Sequence, residues 1–305
     1  MDTAYLPVPL PSRPLGGSGL IVSSLAWGMW RFAGDDVKAA RARIDAALDI
    51  GITLFDTADI YGPDNGEPFG AAETLLGRVF AEDRSLRDRM ILASKGGIVM
   101  GVPYDSSPAY IAGAIDASLK RLGVDTIDLW QIHRPDILAH PHEVARALGG
   151  AVAAGKVRAI GVSNHSVPQM RALMKFLDGL PLASTQPELS LLALAPIDDG
   201  TLDLAMQRDL AVLAWSPLGQ GRIAAPTDVR SRAVAAALDV QAGKFEVSRT
   251  AAAYSWIMAH PARPIPIVGT QNPARIREAA DATKVRWTRR DWYDVLVVSK
   301  GEPLP

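Results

Sequence analysis

Four polar residues of the chain could together move a proton to or from the oxygen of a carbonyl or an alcohol. Asp56 ends the apolar run LFD, and Tyr61 follows it five residues later. Lys95 ends the run ILASK, and His133 ends DLWQIH. An ammonium group favours the phenolate of a nearby tyrosine, whose reference pKa is about 10, and a carboxylate behind the ammonium keeps it charged. A histidine facing the same point could orient the oxygen and stabilise its developing charge.

These residues stand at the ends of short apolar runs, and such runs alternate with amphipathic segments along the chain. The alternation is typical of βαβ units, and near-continuous apolar runs are typical of parallel strands buried on both faces. The predicted strands are residues 24–27, 53–56, 90–95, 127–133, 159–163, 184–188, 211–216 and 265–269. The predicted helices between them are residues 36–49, 72–80, 108–122, 141–154, 167–177, 200–208, 248–259 and 273–283.

Eight alternating units predict an α/β fold, a (β/α)₈ TIM barrel that spans residues 1–305 as one domain. No G-x-G-x-x-G pattern follows the first strand, which disfavours a Rossmann domain. Residues 12–15 and 20–23 flank a glycine-rich turn, and they predict an N-terminal hairpin that could cover the barrel. Residues 219–245 are expected to form a polar loop with a short helix at 230–238, and residues 287–300 an extra C-terminal helix.

Composition excludes several classes of protein. The chain has 32 Lys and Arg against 33 Asp and Glu, so no net charge attracts nucleic acid or an anionic membrane. It has no cysteine, which excludes thiolate chemistry and fits a reducing, cytoplasmic location. Without an apolar run of about 18 residues or a secretory signal, neither a membrane span nor secretion is expected. His140 and His142 have no third ligand nearby, and no metal site is expected.

Six motifs resemble those of the aldo-keto reductase family. They are DTADIYG from Asp56, ASK ending at Lys95, IHRPD around His133, GKVRAIGVSN ending at Asn164, AWSPLGQG ending at Gly221 and VGTQNPARI from Val268. The motifs follow the family's order, stand at predicted strand ends and cover nearly the whole chain. Their sequences most resemble those of the bacterial branch of the family, which has the motifs DxADIYG and IHRPD.

The resemblance implies an NADP(H)-dependent oxidoreductase that interconverts a carbonyl and an alcohol by hydride transfer. It makes Tyr61 the general acid or base, with a pKa lowered by Lys95. Asp56 would hold Lys95, and His133 would position the substrate. Trp30 and Trp130 are expected to form walls of the substrate pocket, although packing alone is an alternative role for Trp30.

The resemblance also implies where the cofactor binds. Trp215 would lie against the nicotinamide ring, a contact that suits a flat cation on an indole. Arg275 would meet the adenosine 2′-phosphate, which favours NADP(H) over NAD(H). The full set of expected cofactor contacts is Gly28, Met29, Ser163, Asn164, Gln186, Trp215, Ser216, Pro217, Leu218, Gly221, Gly269, Gln271, Arg275 and Glu278.

Two other classes of function stay open on the sequence. A Schiff-base barrel enzyme would use Lys95 as its nucleophile, although Asp56 would keep that lysine protonated. A cofactor-sensing regulatory subunit would keep the same barrel and turn over poorly. Aldehydes, ketones, sugars and pyridoxal all fit as small-molecule substrates, and the motifs indicate neither the physiological direction nor the oligomeric state.

Overall fold

A computed structural model of the chain describes residues 4–304. The strands in chain order are β1 (Ser12–Pro14), β2 (Ile21–Ser23), β3 (Ala26–Gly28), β4 (Leu54–Asp56), β5 (Ile91–Gly96), β6 (Ile98–Val99), β7 (Val102–Tyr104), β8 (Ile127–Ile132), β9 (Val157–Ser163), β10 (Leu182–Gln186), β11 (Ala211–Ala214) and β12 (Ile265–Val268).

The α-helices in chain order are α1 (Val37–Asp49), α2 (Ala71–Glu82), α3 (Pro108–Leu122), α4 (Pro141–Ala153), α5 (Val167–Met174), α6 (Ala195–Asp198), α7 (Thr201–Gln207), α8 (Val229–Lys244), α9 (Arg249–Met258), α10 (Pro273–Glu278) and α11 (Arg289–Lys300). Short 3₁₀ helices lie at Gly16–Ser18, Pro63–Asn65, Arg84–Arg89 and Ala279–Lys284. No helix within residues 4–304 is long and apolar enough to cross a membrane.

Strands β3, β4, β5, β8, β9, β10, β11 and β12 are neighbours in that order and form a closed barrel. Each pairs in parallel with the next, and β12 pairs with β3 to complete the ring. The predicted (β/α)₈ barrel is confirmed. In such a barrel the carboxyl ends of all strands open on one face, and the residues at those ends meet there.

The N-terminal hairpin closes the opposite end of the barrel. Strands β1 and β2 pair antiparallel, and Leu15 and Leu20 are buried in one apolar cluster with Leu54 and Leu129 of the barrel interior. The turn lies so close to β10 that a Cβ on Gly16 would come within 2.2 Å of the carbonyl oxygen of Ala183. Only glycine fits there, and its φ of +56° is also in the left-handed region. The predicted hairpin is confirmed.

A second apolar layer separates the strands from the surrounding helices. Trp27 and Phe55 pack edge to face, with ring centres 5.6 Å apart, and both are fully buried in this layer. Their neighbours along the strands, Ala26 and Leu54, instead lie in the cluster of the barrel interior. The two clusters follow from the alternation of side chains along each strand.

The region from 219 to 245 differs most from the prediction. Helix α8 runs over sixteen residues, Val229–Lys244, instead of the short helix expected at 230–238. A capping box starts it, because the side chains of Asp228 and Ser231 each accept a hydrogen bond from the other's backbone. Its buried face contains mainly small residues, with Val234 and Leu238 as the large apolar ones, so the periodic apolar signal in the sequence is weak.

Other element bounds differ by less. Helix α5 ends at Met174 instead of 177, and α10 ends at Glu278, with a 3₁₀ helix up to Lys284 where the helix was expected to continue. Strand β10 covers Leu182–Gln186 instead of 184–188. Pro187 lacks the backbone N–H that a continuing ladder needs. The hairpin β6–β7 and the short helix α6 were not predicted.

Candidate active site

The four predicted catalytic residues lie together at the carboxyl ends of the barrel strands. The amine of Lys95 is fully buried and lies 2.7 Å from Oδ2 of Asp56 and 3.1 Å from Oη of Tyr61. It also donates to the carbonyl oxygen of Thr57 at 2.8 Å. The ring centres of Tyr61 and His133 are 5.8 Å apart, with planes at 78°.

The turn between Asp56 and Tyr61 is bonded along strand β5, and this fixes the tyrosine beside the lysine. The amide of Thr57 donates to the carbonyl oxygen of Ala93, and the amide of Asp59 donates to that of Lys95, both at 2.9 Å. Gly62 then lets the chain pass close to the segment that precedes α2. A Cβ at Gly62 would come within 1.9 Å of the Pro68 carbonyl oxygen, so this position requires glycine.

The second oxygen of Asp56 is held by two glutamine amides. Gln186 donates to Oδ1 at 2.9 Å, and Gln131 lies at 3.5 Å from the same atom. The side-chain oxygen of Gln131 in turn accepts from Ser184 at 3.1 Å. Gln131 was not predicted from the sequence. The sequence did contain a signal for it, because a polar residue interrupts the apolar run two positions before His133. That spacing places both side chains on the same face of one strand.

Burial and nearby charges together set the protonation states in the site. Burial lowers the pKa of Lys95, but the nearby Asp56 and Tyr61 outweigh it and raise that pKa above its ordinary value. Burial is also the largest effect on Tyr61 and raises its pKa, while the ammonium group of Lys95 lowers it. Lys95 does lower the pKa of Tyr61, as expected, but the expected net lowering of that pKa is not found. The net change is upward, because a phenolate is poorly solvated at this buried position.

His133 is neutral at pH 7. Burial, then the positive charges of Lys95 and Arg134, hold its pKa well below the ordinary value. The Nδ1 atom of His133 is buried and has no hydrogen-bond partner within the part of the chain that the structure describes. A neutral imidazole carries one N–H that can donate to a substrate oxygen.

Trp215 is fixed beside His133 by a chain of hydrogen bonds. Its indole nitrogen donates to Oδ1 of Asn164 at 2.9 Å, and the amide nitrogen of Asn164 lies 3.2 Å from the carbonyl oxygen of His133. The same amide nitrogen lies 2.8 Å from Oγ of Ser163, which donates to the carbonyl oxygen of Gln186 at 2.9 Å. Ser163, Asn164 and Gln186, which are among the expected cofactor contacts, therefore also bond to the protein's own framework.

The segment after β11 has a run of left-handed backbone. Ser216, Gly219, Gln220 and Gly221 all have positive φ. The Ser216 hydroxyl accepts from the amide of Gln220 at 2.7 Å. Pro217 is buried and Leu218 packs against the core, whereas a Cβ on Gly221 would meet open space. These four expected cofactor contacts, Ser216, Pro217, Leu218 and Gly221, thus lie on one tight, partly exposed turn.

The remaining expected cofactor residues lie at the ends of β3 and β12. Gln271 donates to the carbonyl oxygen of Gly28 at 3.0 Å, and the amide of Met29 donates to that of Asp56 at 2.9 Å. Met29 is fully buried, and space is open beside Gly269.

Two arginines on α10 differ in their partners. Arg277 pairs with Asp49 at 2.9 Å. The side chain of Arg275 is exposed and makes no hydrogen bond or ion pair within residues 4–304. Glu278, at the end of the same helix, is partly buried, and its charge adds to the burial that raises the pKa of Tyr254.

The two tryptophans expected in the substrate pocket have different positions. Trp30 is 45% exposed, and its indole donates to Asp64 at 2.9 Å. Trp130 is fully buried in the layer between the barrel and the helices. The prediction that Trp130 lines the pocket is wrong, because its neighbours Leu129 and Gln131 take the inward positions of β8.

Arg134 is a further charged residue beside the candidate site, and it was not predicted from the sequence. It follows His133 directly, is partly buried, and has its guanidinium carbon 5.8 Å from the ring centre of Trp215. Its side chain makes no hydrogen bond or ion pair with other described residues. Within the described residues, the guanidinium beside the expected site of reaction therefore has an aromatic ring as its partner and no carboxylate.

The match to a known family decides what class of protein this is. Residues 24–296 match the Aldo/keto reductase family. The chain belongs to the aldo-keto reductase family. This aldo-keto reductase is 58% identical over 302 residues to the 6-dehydroglucose reductase of Novosphingobium aromaticivorans, across 98% of this chain and 99% of the relative. It is 36% identical to the 6-dehydroglucose reductase of Agrobacterium fabrum, across 93% and 97% of the two chains.

A solved structure gives independent support for the fold. The crystal structure of a thermostable aldo-keto reductase in complex with the inhibitor epalrestat superposes with a TM-score of 0.79, covering 95% of this chain and 100% of that one at 22% identity. The predicted family, fold and oxidoreductase activity are thus confirmed. Aldo-keto reductases typically depend on NADH or NADPH, and reductases such as these relatives act on small-molecule carbonyls.

Proposed function

We propose that this aldo-keto reductase reduces the aldehyde of a sugar, of the 6-dehydroglucose type, to the alcohol with NADPH. The observation that carries the proposal is the position of the Tyr61 hydroxyl, 3.1 Å from the buried Lys95 ammonium and beside the neutral His133. That arrangement provides a proton donor, a charge that stabilises its phenolate, and a group that orients the oxygen.

A sugar substrate is supported by the two relatives and by one side chain of this molecule. Both relatives are 6-dehydroglucose reductases that match nearly their full length. Beside His133 and over the Trp215 ring, Arg134 presents a guanidinium that has no hydrogen bond or ion pair with the other described residues. Its several N–H donors suit the hydroxyl groups of a sugar, and such charged hydrogen bonds contribute more than neutral ones.

The residues fit a nicotinamide dinucleotide phosphate. Trp215 offers a fixed aromatic face, and the space beside Gly221 and Gly269 is open. Arg275, which has no hydrogen bond or ion pair from its side chain within residues 4–304, is a cation that suits a phosphate. The unpaired state of Arg275 favours NADP(H) over NAD(H). When bound, the nicotinamide supplies the hydride for reduction or accepts it in the reverse reaction.

The protein's own part in the reaction is proton transfer and charge stabilisation. Tyr61 donates its hydroxyl proton to the substrate oxygen, and Lys95 stabilises the phenolate that remains. Asp56 holds Lys95 in place through the 2.7 Å ion pair. His133, kept neutral by burial and by its cationic neighbours, donates an N–H to the same substrate oxygen.

The geometry favours this role over a Schiff base on Lys95. A lysine nucleophile must be neutral, but Lys95 is fully buried against Asp56, and its pKa is raised. The donors of its amine are also occupied by Asp56, Thr57 and Tyr61. The lysine is therefore suited to remain an ammonium group.

The proposal is tested by following NADPH oxidation with 6-dehydroglucose and with 4-nitrobenzaldehyde. We expect the sugar aldehyde to have the higher kcat/KM, and Tyr61→Phe to lower kcat for both by roughly 10²- to 10⁴-fold. Arg134→Met should raise KM for the sugar by about tenfold or more and affect the aromatic aldehyde much less. Equal use of both aldehydes, or full turnover by the Tyr61 variant, would contradict the proposal.

The cofactor preference is tested with the two arginines of α10. Arg275→Leu should weaken NADPH binding by about tenfold or more and change NADH binding little, because only NADPH carries the extra phosphate. Arg277→Leu is the matched control, since it removes a cation from the same helix that is already paired with Asp49. Titration of cofactor fluorescence measures both constants. An equal loss in the two variants would assign the effect to general charge.

A further inference from the structure

A second carboxyl, which the mechanism does not use, is buried two residues before Tyr61. Asp59 is 1% exposed and lies in the turn between Asp56 and Tyr61. Its backbone amide donates to the carbonyl oxygen of Lys95 at 2.9 Å, so it belongs to the turn that positions the tyrosine. Any change in the charge of Asp59 therefore acts directly beside the proton donor.

The side chain of Asp59 has few partners. Its Oδ1 atom is buried without a hydrogen-bond partner in the described part of the chain. Its Oδ2 atom lies 3.4 Å from the hydroxyl of Tyr110 on α3, which lies at the same distance from the carbonyl oxygen of Ile98. An ionised carboxylate in such surroundings is costly, because buried charges need close counterions and several hydrogen bonds.

The charged groups behind the turn are already balanced without Asp59. Glu73 of α2 is fully buried and pairs with Arg121 of α3 at 2.7 Å. The same carboxylate accepts hydrogen bonds from Ser94 at 2.5 Å and from Ser118 at 3.0 Å. Arg121 is thus paired with Glu73, and within residues 4–304 Asp59 has no ion pair of its own.

On the side of the active site, the charged and titratable groups nearest to Asp59 are Lys95, Asp56 and Tyr61. Lys95 is already paired with Asp56. Burial, and then the charge of Glu73, raise the pKa of Asp59 to about 8, although Arg121, Tyr110 and the backbone of Ile60 lower it in part. At pH 7 the carboxyl is therefore largely protonated, and the charge of its ionised form disfavours the phenolate of Tyr61.

We propose that Asp59 is a positioning residue that controls the proton donor through its own charge: uncharged, it leaves Tyr61 competent, and on ionising it slows reduction. The physical reason is that proton donation leaves a phenolate on Tyr61. Asp59 lies in the same turn and is buried away from water. A negative charge on it raises the energy of that phenolate and of the developing alkoxide. The proton lost from Asp59 goes to solvent.

The test is the pH dependence of kcat for reduction of 4-nitrobenzaldehyde, with whichever of NADPH or NADH the enzyme oxidises faster. This choice keeps the test independent of the sugar proposal. We expect the wild-type profile to fall in a step centred near pH 8. In Asp59→Asn, which has the shape of the acid without its charge, this step should be absent. The shape of the profile is the readout, because a merely structural role would lower kcat equally at all pH values.

A second variant keeps the test decisive if the first folds poorly. Tyr110→Phe removes a hydrogen bond that lowers the pKa of Asp59, so the step should persist and move to higher pH. The proposal is overturned if the wild-type enzyme has no step between about pH 7 and 9. It is equally overturned if Asp59→Asn keeps the step at the same midpoint.

Discussion

The two ends of the barrel interior are built from the same strands and from opposite kinds of residue. At the end covered by the hairpin, Leu54 and Leu129 belong to one buried apolar cluster. Two residues further along the same strands stand Asp56 and Gln131, both buried and joined through hydrogen bonds to Lys95 and Gln186. The change from apolar to polar takes one step of the strand alternation.

The difference shows where the barrel is stabilised and where it acts. Burial of apolar side chains is favourable by itself and depends little on direction. A buried ion pair is different, because desolvation offsets much of its attraction and each member needs its partner. The hairpin end should therefore dominate stability, and the open end should hold proton chemistry at some cost in stability.

Removal of the lysine charge should have the largest effect. Lys95→Met leaves the Asp56 carboxylate buried without its counterion, and we expect a loss of about 3 to 5 kcal/mol in the free energy of unfolding. Reduction should also slow by roughly 10²- to 10⁴-fold, because the phenolate of Tyr61 loses its stabilising charge. Urea denaturation and steady-state kinetics measure the two effects.

The double variant Asp56→Asn/Lys95→Met separates the stability of the ion pair from its chemistry. It removes both charges, so most of the lost stability should return while the activity stays low. Restored activity in the double variant would show that the charge pair is not what makes the tyrosine competent. A double variant as unstable as the single one would show that packing of the lysine chain, not charge, holds this end together.

At the apolar end, a substitution should lower stability and leave activity nearly unchanged. Leu54→Ala removes a fully buried side chain from the barrel interior, and a loss of about 2 to 5 kcal/mol in unfolding free energy is expected. Turnover at temperatures well below the unfolding transition should change little, since the site lies at the other end. Leu10→Ala, at a leucine that is 59% exposed, is the control and should cost far less. A large fall in kcat for Leu54→Ala would mean that the two ends are not independent.

The sequence predicted the site better where roles depend on strand ends than where they depend on side-chain direction. Asp56, Lys95 and His133 were found because polar residues that end apolar runs must meet at one face of a barrel. Trp130 was placed in the pocket although it lies one position away from the inward face of β8, and Gln131, on that face, was missed. A shift of one residue reverses the direction of every side chain, and strand bounds read from sequence are not that precise.

The environment of each group was less predictable than its position. The motif DTADIYG indicated Asp56 and Tyr61, yet the pKa of Tyr61 is raised, because burial of the phenol outweighs the lysine. The length of helix α8 was underestimated for a related reason. Its buried face consists largely of small residues, and its first turn is fixed by reciprocal capping between Asp228 and Ser231. Both features depend on packing between segments that are distant in sequence.

Asp59, which lies at neither end of the barrel interior, should make stability depend on pH. Its folded-state pKa is about 8, whereas an aspartate in an unfolded chain has a pKa of about 3.9. Between these values the folded protein binds a proton that the unfolded chain has released. The stability that this proton provides is fully present below about pH 4, and it is lost as the pH rises through 8.

We therefore expect the unfolding free energy of the wild-type protein to fall relative to that of Asp59→Asn by up to about 1.4 kcal/mol per pH unit within this interval. Urea denaturation of the wild-type protein and of Asp59→Asn at several pH values between about 5 and 7.5 measures the difference. A fall in unfolding free energy that both proteins share comes from the other titratable groups. Parallel curves would mean that Asp59 is ionised throughout. In that case its charge would have to be tolerated beside Glu73 and Tyr61, and the contrast between the paired carboxylate of Asp56 and the poorly paired carboxyl of Asp59 would not hold.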